Sequence, residues 1–207
     1  MSSMPYHHGD LRDAILTAAA AAVDQGGPSS LSLRALAREV GVTHTAPRHH
    51  FGDKRGVLTA LAAQGYRQLA ERILDANRAG NFLEAGVAYV EFALQQPAHF
   101  QVMFRPDLVD GEDAELRAAL DDLYAALSAG VRAFAPSLGG AAGSVGSAGS
   151  GATSTRPPHD PARSLALAAW SLAHGFATLA HSGNFPHDPG QDVSDLARDT
   201  LRHLPSA

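Results

Sequence analysis

Residues 31–51 read LSLRALAREVGVTHTAPRHHF, and this stretch predicts two short helices joined by a tight turn. In its first half, apolar residues recur at the spacings of a helix with one buried face: Leu33, Leu36, Ala37 and Val40. Ser32 is the predicted N-cap of this helix and Gly41 its predicted C-terminal stop. Thr43 is the predicted cap of a second helix, which ends near Phe51.

Two helices in this arrangement indicate a helix-turn-helix motif. The motif requires a small residue where its helices touch, here Ala37, and a glycine at the turn, here Gly41. It also requires apolar residues that lock both helices onto a third, and the candidates are Leu36, Val40, Val42 and Phe51. An alanine-rich helical hairpin would share some of these features.

The second helix of the motif has a polar outward face. Its side chains, together with those at its leading end, are Thr43, His44, Thr45, Arg48 and His49. Base edges in the DNA major groove are read by hydrogen bonds from such projecting side chains, so we predict a recognition helix. Arg48 is the predicted guanine contact, and Thr45 the predicted contact to a thymine methyl group. Lys54 is predicted to meet a phosphate at the start of the next helix, and Arg34 completes the predicted DNA-binding set.

The composition of the 207-residue chain narrows the class of protein. Hydrophobic residues make up 45%, with alanine dominant, which favours packed helices over sheets. The lack of cysteine excludes disulfides, thiolate zinc sites and cysteine nucleophiles. Because no apolar run approaches the roughly 18 residues of a membrane span and no signal-peptide pattern begins the chain, we expect a soluble, cytoplasmic protein.

The charge is unevenly distributed along the chain. A net charge of −5 argues against a protein that simply coats nucleic acid. Residues 1–55 hold six Arg or Lys against five acids, a net charge of +1, whereas the remainder carries −6. The less acidic part therefore contains the predicted helix-turn-helix.

Helical periodicity covers most of the chain, so the predicted fold is all-α with about nine helices. A first helix precedes the motif and ends at residues 26–28, and further helices are predicted over 54–77, 82–95, 98–104, 114–134, 162–181 and 193–204. Gly, Ser and Ala dominate residues 137–155, and we predict a flexible linker over 137–160 that interrupts a helical domain.

Residues 6–61, which contain LSLRALAREVGV, HHF and DK, resemble the N-terminal DNA-binding domain of the tetracycline-repressor (TetR) family of transcriptional regulators. The resemblance implies a homodimeric repressor that binds a pseudo-palindromic operator and is released by a small-molecule effector. It implies a helix-turn-helix DNA-binding domain over 1–53, and a ligand-binding and dimerisation domain over 54–207. Many family members carry leucine and tyrosine where this chain has Pro47 and Arg48. Since that tyrosine often contacts the DNA backbone, the predicted contact of Arg48 is either a base or a phosphate.

The C-terminal part carries a second, shorter resemblance. Residues 168–179, AAWSLAHGFATL, are similar to the Trp-His-Gly motif of one TetR subgroup, carried here by Trp170, His174 and Gly175. Residues 96–108 are similar to the same subgroup. By resemblance, the last two long helices pack against their copies in a second subunit as a four-helix bundle. The predicted dimer-interface residues are Leu165, Leu172, Gly175, Phe176, Leu179, Leu196 and Leu201.

Aromatic residues on long helices favour an apolar cavity with a few polar groups, although each such residue alone is more often simply part of the core. The predicted ligand-binding set is Tyr89, Phe92, His99, Phe100, Met103, Phe104, Trp170 and His174.

Two alternatives to a ligand-responsive DNA-binding protein stay open. One is a metal-sensing regulator that uses His99, His174 and His181; the other is a helical interaction protein without DNA binding. The histidines of residues 44–50 do not have the spacing of a metal site, and we predict no metal there. We expect neither a cofactor nor an enzymatic activity, because no phosphate-binding glycine loop, nucleophile elbow or opposed carboxylate pair is present in the sequence.

Overall fold

The computed structural model describes residues 8–79, 82–138, 161–184 and 190–202, and every regular element in these ranges is a helix. The elements are α1 (His8–Gly26), a 3-10 helix (Pro28–Ser30), α2 (Leu33–Val40), α3 (Ala46–Phe51), α4 (Lys54–Arg78), α5 (Phe82–Gln95), α6 (Pro97–Met103), α7 (Ala114–Leu138), α8 (Pro161–His181) and α9 (Val193–Leu201). The predicted all-α fold is confirmed.

The helix-turn-helix is built as its sequence requires. Leu36 and Ala37 on α2 are each only 2% exposed, and burial of a leucine side chain contributes about 1.5–3 kcal/mol. Gly41 ends α2 in the left-handed region, at φ 74° and ψ 32°. In this conformation the Val42 amide donates to the Ala37 carbonyl at 2.9 Å, which closes the helix end. A residue with a Cβ atom would be strained at position 41.

The start of α3 differs from the prediction. Thr45, not Thr43, precedes the first helical residue, and the Thr43 carbonyl instead accepts from the Ala46 amide at 3.0 Å in a turn. Pro47 explains the difference, because proline lacks an amide proton and fits only the first turn of a helix without the loss of a hydrogen bond. Ser32 does stand at the N-cap of α2, but its side chain makes no capping hydrogen bond.

Two differences concern the C-terminal half. Ser137 and Leu138, the first two residues of the predicted linker, are instead the last two residues of α7. The rest of the predicted linker, 139–160, lies outside the described residues. The predicted last helix ends at Leu201, before its expected end at residue 204, and residues 203–207 also lie outside the description.

The chain divides into two compact units. The first contains the described residues up to 69 together with 92–123, and its core includes Ile15, Leu16, Val23, Leu36, Leu58, Leu61 and Val102. The second contains the described residues of 70–91 and those from 124 onwards, and its core includes Ile73, Val87, Tyr89, Ala126, Phe176 and Leu201. The helix-turn-helix therefore shares a core with α6 and with the first part of α7.

Candidate DNA-binding surface and ligand-binding residues

The exposed edge of the helix-turn-helix carries hydrogen-bonding side chains. We call the exposed side chains of residues 43–49 the reading surface; they are Thr43, His44, Thr45, Arg48 and His49. The His49 amide donates to the Thr45 carbonyl at 2.9 Å, so these two residues stand one helical turn apart on one side of α3. The predicted contact Arg34, on α2, is exposed as well. This arrangement presents both donors and acceptors to solvent, as the reading of base edges requires.

Lys54 occupies the first turn of α4 and is half-buried. Its Nζ donates to the Ser29 carbonyl at 2.7 Å, which ties the 3-10 helix to the start of α4. An ammonium group has three N–H donors, so this bond is compatible with the predicted phosphate contact.

The recognition helix, α3, is anchored by Pro47 and Phe51. Pro47 is buried in the first turn of α3, and Phe51 is half-buried at its last residue. The guanidinium carbon of Arg12 on α1 lies 5.6 Å from the centroid of the Phe51 ring, within the range of a cation–π interaction. The inward face of α3 thus holds the reading surface in a fixed position on α1.

The connection between α3 and α4 depends on a glycine that sequence reasoning missed. Gly52 ends α3 at φ 75°, and the Asp53 carboxylate accepts from the Gly56 amide at 2.9 Å as the N-cap of α4. A Cβ atom built on Gly56 would lie 1.9 Å from the carbonyl oxygen of Phe51. The sequence did contain a signal for this contact, namely a glycine within the first turns of a helix. Glycine is disfavoured there unless another part of the backbone approaches closely.

A second feature missed in the sequence is an ion-pair node at Glu115. Its two carboxylate oxygens accept from Arg12 on α1 at 2.6 Å and from Arg67 on α4 at 2.7 Å. These side chains are between 31% and 40% exposed, so each pair contributes no more than about 1 kcal/mol. The ion-pair node nevertheless links α1, α4 and the start of α7. Arg12 takes part in this node and also lies over the Phe51 ring.

The loop between α6 and α7 is bound to the first turns of α4. Arg55 donates to the Val109 carbonyl at 2.6 Å. The hydroxyl of Thr59 accepts from the Asp110 amide at 2.9 Å, and Thr59 is only 3% exposed. The same unit that carries the reading surface therefore extends into the α6–α7 loop through polar contacts.

His99 is the most unusual residue of the predicted ligand-binding set. It lies on α6, is 5% exposed, and its Nε2 is 3.0 Å from the Oε1 oxygen of Gln64 on α4. Because an amide oxygen only accepts, Nε2 carries a proton in this pair. Burial lowers the pKa of His99, which favours the neutral imidazole. Its Nδ1 is then a buried acceptor, and no partner for it lies among the described residues. Such an atom is a candidate for a hydrogen bond from a bound molecule.

Aromatic rings surround this part of α6. Phe104 makes edge contacts with Tyr66 at 5.8 Å and with Phe100 at 5.3 Å between ring centroids. The Tyr66 hydroxyl donates to the Met103 carbonyl. Phe92, Phe100 and Met103 are buried, and Phe104 is half-buried. These four members of the predicted set, and His99 as the fifth, all belong to the first unit.

Acidic solution is expected to destabilise the chain through His99 and His174. Burial lowers the pKa of His99, with a smaller opposing effect of the Asp24 carboxylate, and burial also lowers the pKa of His174. Below the unfolded-state pKa of about 6.5, the unfolded chain therefore binds more protons than the folded one. The free energy of unfolding then decreases as the pH is lowered. Above that value the two histidines add no pH dependence.

Urea unfolding between about pH 8 and about pH 5.5 measures this effect. The variants His99→Gln and His174→Gln should each lose less stability across the range than the unchanged chain, whereas the exposed His181→Gln should behave like the unchanged chain. An unchanged acid loss in both buried-site variants would contradict the assignment.

The other three members of the predicted ligand-binding set form a cluster in the second unit. The Tyr89 hydroxyl lies 2.8 Å from Nδ1 of His174, and Nε1 of Trp170 donates to the same hydroxyl at 3.4 Å. Tyr89 is 1% exposed, whereas Trp170 and His174 are half-buried. Trp170 also packs edge-on against Tyr124, which is 51% exposed. The cluster combines a polar hydroxyl–imidazole pair with apolar rings, a combination typical of small-molecule sites.

The predicted dimer-interface residues differ in exposure. Phe176 and Leu201 are 4% and 2% exposed, so their side chains already pack within this chain. Leu165, Leu172, Gly175 and Leu196 are half-buried, and Leu179 is 48% exposed. Leu167, which sequence reasoning did not include, is 49% exposed on the same helix as Leu179. Leu179 is thus the most exposed member of the predicted interface, and Leu167 adds a second exposed leucine on α8.

Among the described residues, no group of three or more His, Cys, Asp or Glu side chains is placed to hold a metal ion. His99 and His174 have protein partners, Gln64 and Tyr89, in different units. No described helix is long and apolar enough to cross a membrane.

An all-helical chain with a helix-turn-helix and an exposed polar recognition helix has the architecture of a DNA-binding protein. Two family models match it. The model described as "Bacterial regulatory proteins, tetR family" matches residues 15–61, and "Tetracyclin repressor-like, C-terminal domain" matches residues 82–204. The chain belongs to the TetR family of transcriptional regulators and carries the DNA-binding domain of that family.

Individual relatives agree with this assignment. The uncharacterized HTH-type transcriptional regulator YobS of Bacillus subtilis (strain 168) is 30% identical over 91 residues, which are 42% of this chain and 48% of YobS. The match thus spans about half the length of that curated relative. A solved protein with unknown function from Rhodococcus sp. RHA1 is 33% identical at a TM-score of 0.68, over 96% of this chain and 97% of its own. AibR, solved in complex with isovaleryl coenzyme A and operator DNA, shares the fold at 13% identity and a TM-score of 0.63, over 92% of this chain and 95% of its own.

Proposed function

We propose that this chain is a ligand-responsive repressor that binds a pseudo-palindromic operator as a homodimer. The reading surface carries the proposal, because five exposed hydrogen-bonding side chains stand on the recognition helix and directly before it, and the other face of this helix is anchored by Pro47 and Phe51. In this proposal Thr45 and His49 meet base edges, Arg48 meets a guanine or a phosphate, and Thr43 and His44 lie at the groove edge. Arg34 and Lys54 bind phosphates that flank them.

The proposed domains are a DNA-binding domain over 1–53 and a ligand-binding and dimerisation domain over 54–207. Two groups of residues are candidates for effector binding: His99 with the rings near it, and Tyr89 with Trp170 and His174. The second group carries the Trp-His-Gly motif, and we propose that the chain belongs to that subgroup. The complex of AibR with an acyl-coenzyme A and operator DNA supports effector control on this fold.

The proposed dimer uses α8 and α9, as a four-helix bundle with their copies. Leu167 and Leu179 are each about half exposed on α8, and their burial against a partner would stabilise the association. An effector that favours one arrangement of the two subunits would change the spacing of the two recognition helices and weaken DNA binding.

Binding to DNA fragments from the region upstream of the chain's own gene tests the proposal. We expect one fragment to be retained in preference to others, with an affinity that falls steeply as salt rises, because phosphate contacts release counterions. A chain that shows no sequence preference, or no salt dependence, would not be an operator-binding regulator.

A thermal-stability screen then identifies the effector class, since a ligand that binds only the folded state raises the unfolding temperature. Isovaleryl coenzyme A and other acyl-coenzyme A esters are the first compounds to include. An effector must both stabilise the chain and reduce retention of the preferred fragment.

A further inference from the structure

The positive charge of the helix-turn-helix is in large part titratable. Residues 32–54 contain four Arg or Lys and two acids, a net charge of +2, together with three histidines. Two of these histidines, His44 and His49, belong to the reading surface and are exposed; the third, His50, is half-buried. Protonation of all three would raise the net charge of this segment to +5. Histidine is the side chain whose charge ordinarily changes near pH 6.5.

The described side chains on the elements around α3 include six cations and four anions. Charged side chains on the two helices that pack against α3, and on the segment that follows it, are Arg12, Asp13, Asp24, Arg34, Arg38, Glu39, Arg48, Asp53, Lys54 and Arg55. Asp53 is engaged by the Gly56 amide as a helix cap. Among the described residues, neither His44 nor His49 forms an ion pair with a carboxylate. Among the residues whose side chains are described, no carboxylate therefore pairs with these two histidines.

DNA changes that environment. A recognition helix in the major groove lies between two phosphate backbones, and anionic oxygens favour the protonated form of a nearby imidazole. We propose that the reading surface takes up protons when it binds DNA, so that lower pH tightens DNA binding. This inference rests on the proposed function, and it adds pH to the conditions that regulate the same surface.

Linkage gives the size of the effect. For a model imidazole whose pKa rises from about 6.5 to about 7.5 in a complex, the affinity increases about sixfold between pH 8 and pH 6. The DNA phosphates stay fully ionised over this range. Protonation of the buried His99 and the half-buried His174 acts in the opposite direction, because it destabilises the fold, so the sign of the pH dependence separates the two effects.

Fluorescence anisotropy at constant salt tests the inference. The probes are duplexes selected by this chain from a randomised pool, with a random-sequence duplex of equal length beside them. We expect the unchanged chain to bind the selected duplex at least about sixfold more tightly at pH 6 than at pH 8. The double variant His44→Gln, His49→Gln should lose most of this dependence, measured as the ratio of its own affinities at pH 6 and pH 8, and the exposed His181→Gln should retain it.

The possible failures are distinguishable. If the chain binds the selected duplex with equal or lower affinity at pH 6, the inference is wrong and the proposed function stands. A double variant with an undiminished pH dependence overturns the inference too, because other groups would then take up the protons. If no duplex is selected or retained at any pH, both the inference and the proposed function fail.

Discussion

Replacement of Gly56 by alanine is expected to destabilise the chain by about 3 kcal/mol and to abolish tight DNA binding. The added methyl carbon would lie 1.9 Å from the Phe51 carbonyl oxygen and 3.0 Å from its carbonyl carbon. Backbone atoms cannot rotate away as a side chain can, so either α3 or the start of α4 must move. Since Phe51 ends the recognition helix, this movement displaces the reading surface.

Urea unfolding and DNA retention measure the two effects of this change. The matched control is Gly111→Ala, where a new Cβ atom meets nothing within 4 Å, and its stability should change by less than about 0.5 kcal/mol. A Gly56→Ala variant with unchanged stability and unchanged DNA affinity would show that the close approach of α3 and α4 is unimportant. Loss of DNA affinity with little loss of stability would still support it, because the strain would then appear as a shift of α3.

Arg48→Ala is expected to weaken operator binding by roughly 10- to 100-fold, which corresponds to about 1–3 kcal/mol for an arginine contact to DNA. Arg48 is an exposed residue of the reading surface, and its predicted partner is either a guanine or a phosphate. The two partners give different patterns across operator variants. Loss of a guanine contact relaxes specificity at one base pair, whereas loss of a phosphate contact weakens all sequences alike and reduces the salt dependence.

Affinities for the preferred duplex and for single-base variants at two salt concentrations distinguish these patterns. Arg78→Ala serves as the control, because Arg78 is 73% exposed on α4, pairs with Asp75 and lies outside the helix-turn-helix. An affinity for DNA that Arg48→Ala leaves unchanged would remove Arg48 from the predicted DNA-binding set.

Periodicity alone located most helices of this chain. The predicted starts of α4 and α5 agree with the structure, and the ends of α4 and α6 differ by one residue. Helices of this length are set by the recurrence of apolar residues, which a single sequence displays directly. The turn at Gly41 was equally accessible, because glycine is the residue that adopts a left-handed backbone at low cost.

The predicted start of α3 lies two residues too early, because two threonines compete as the N-cap of this helix. Thr43 and Thr45 are both acceptable N-cap residues, and the choice between them depends on Pro47 two positions after Thr45. Pro47 is visible in the sequence. Its effect on the helix start follows only when the amide donors that need a partner in the first turn are counted.

Contacts between residues distant in sequence were not accessible in the same way. Arg12 and Glu115 are 103 positions apart and meet at 2.6 Å, and His99 reaches Gln64 across 35 positions. No periodicity or local motif in the sequence indicates either pair, because each contact depends on how two helices cross in the folded chain. The same is true of Phe176 and Leu201, which the sequence assigned to a dimer interface and which the structure buries within one chain.

The sequence by itself determined the all-helical architecture, the helix-turn-helix and the polar character of its reading surface, because these follow from local spacing, chain turns and side-chain chemistry. The tertiary structure decided which polar groups are buried, which apolar residues stay exposed, and why Gly56 must be a glycine. Those properties belong to pairs of distant residues, and burial, ion pairing and steric overlap exist only once the helices have packed.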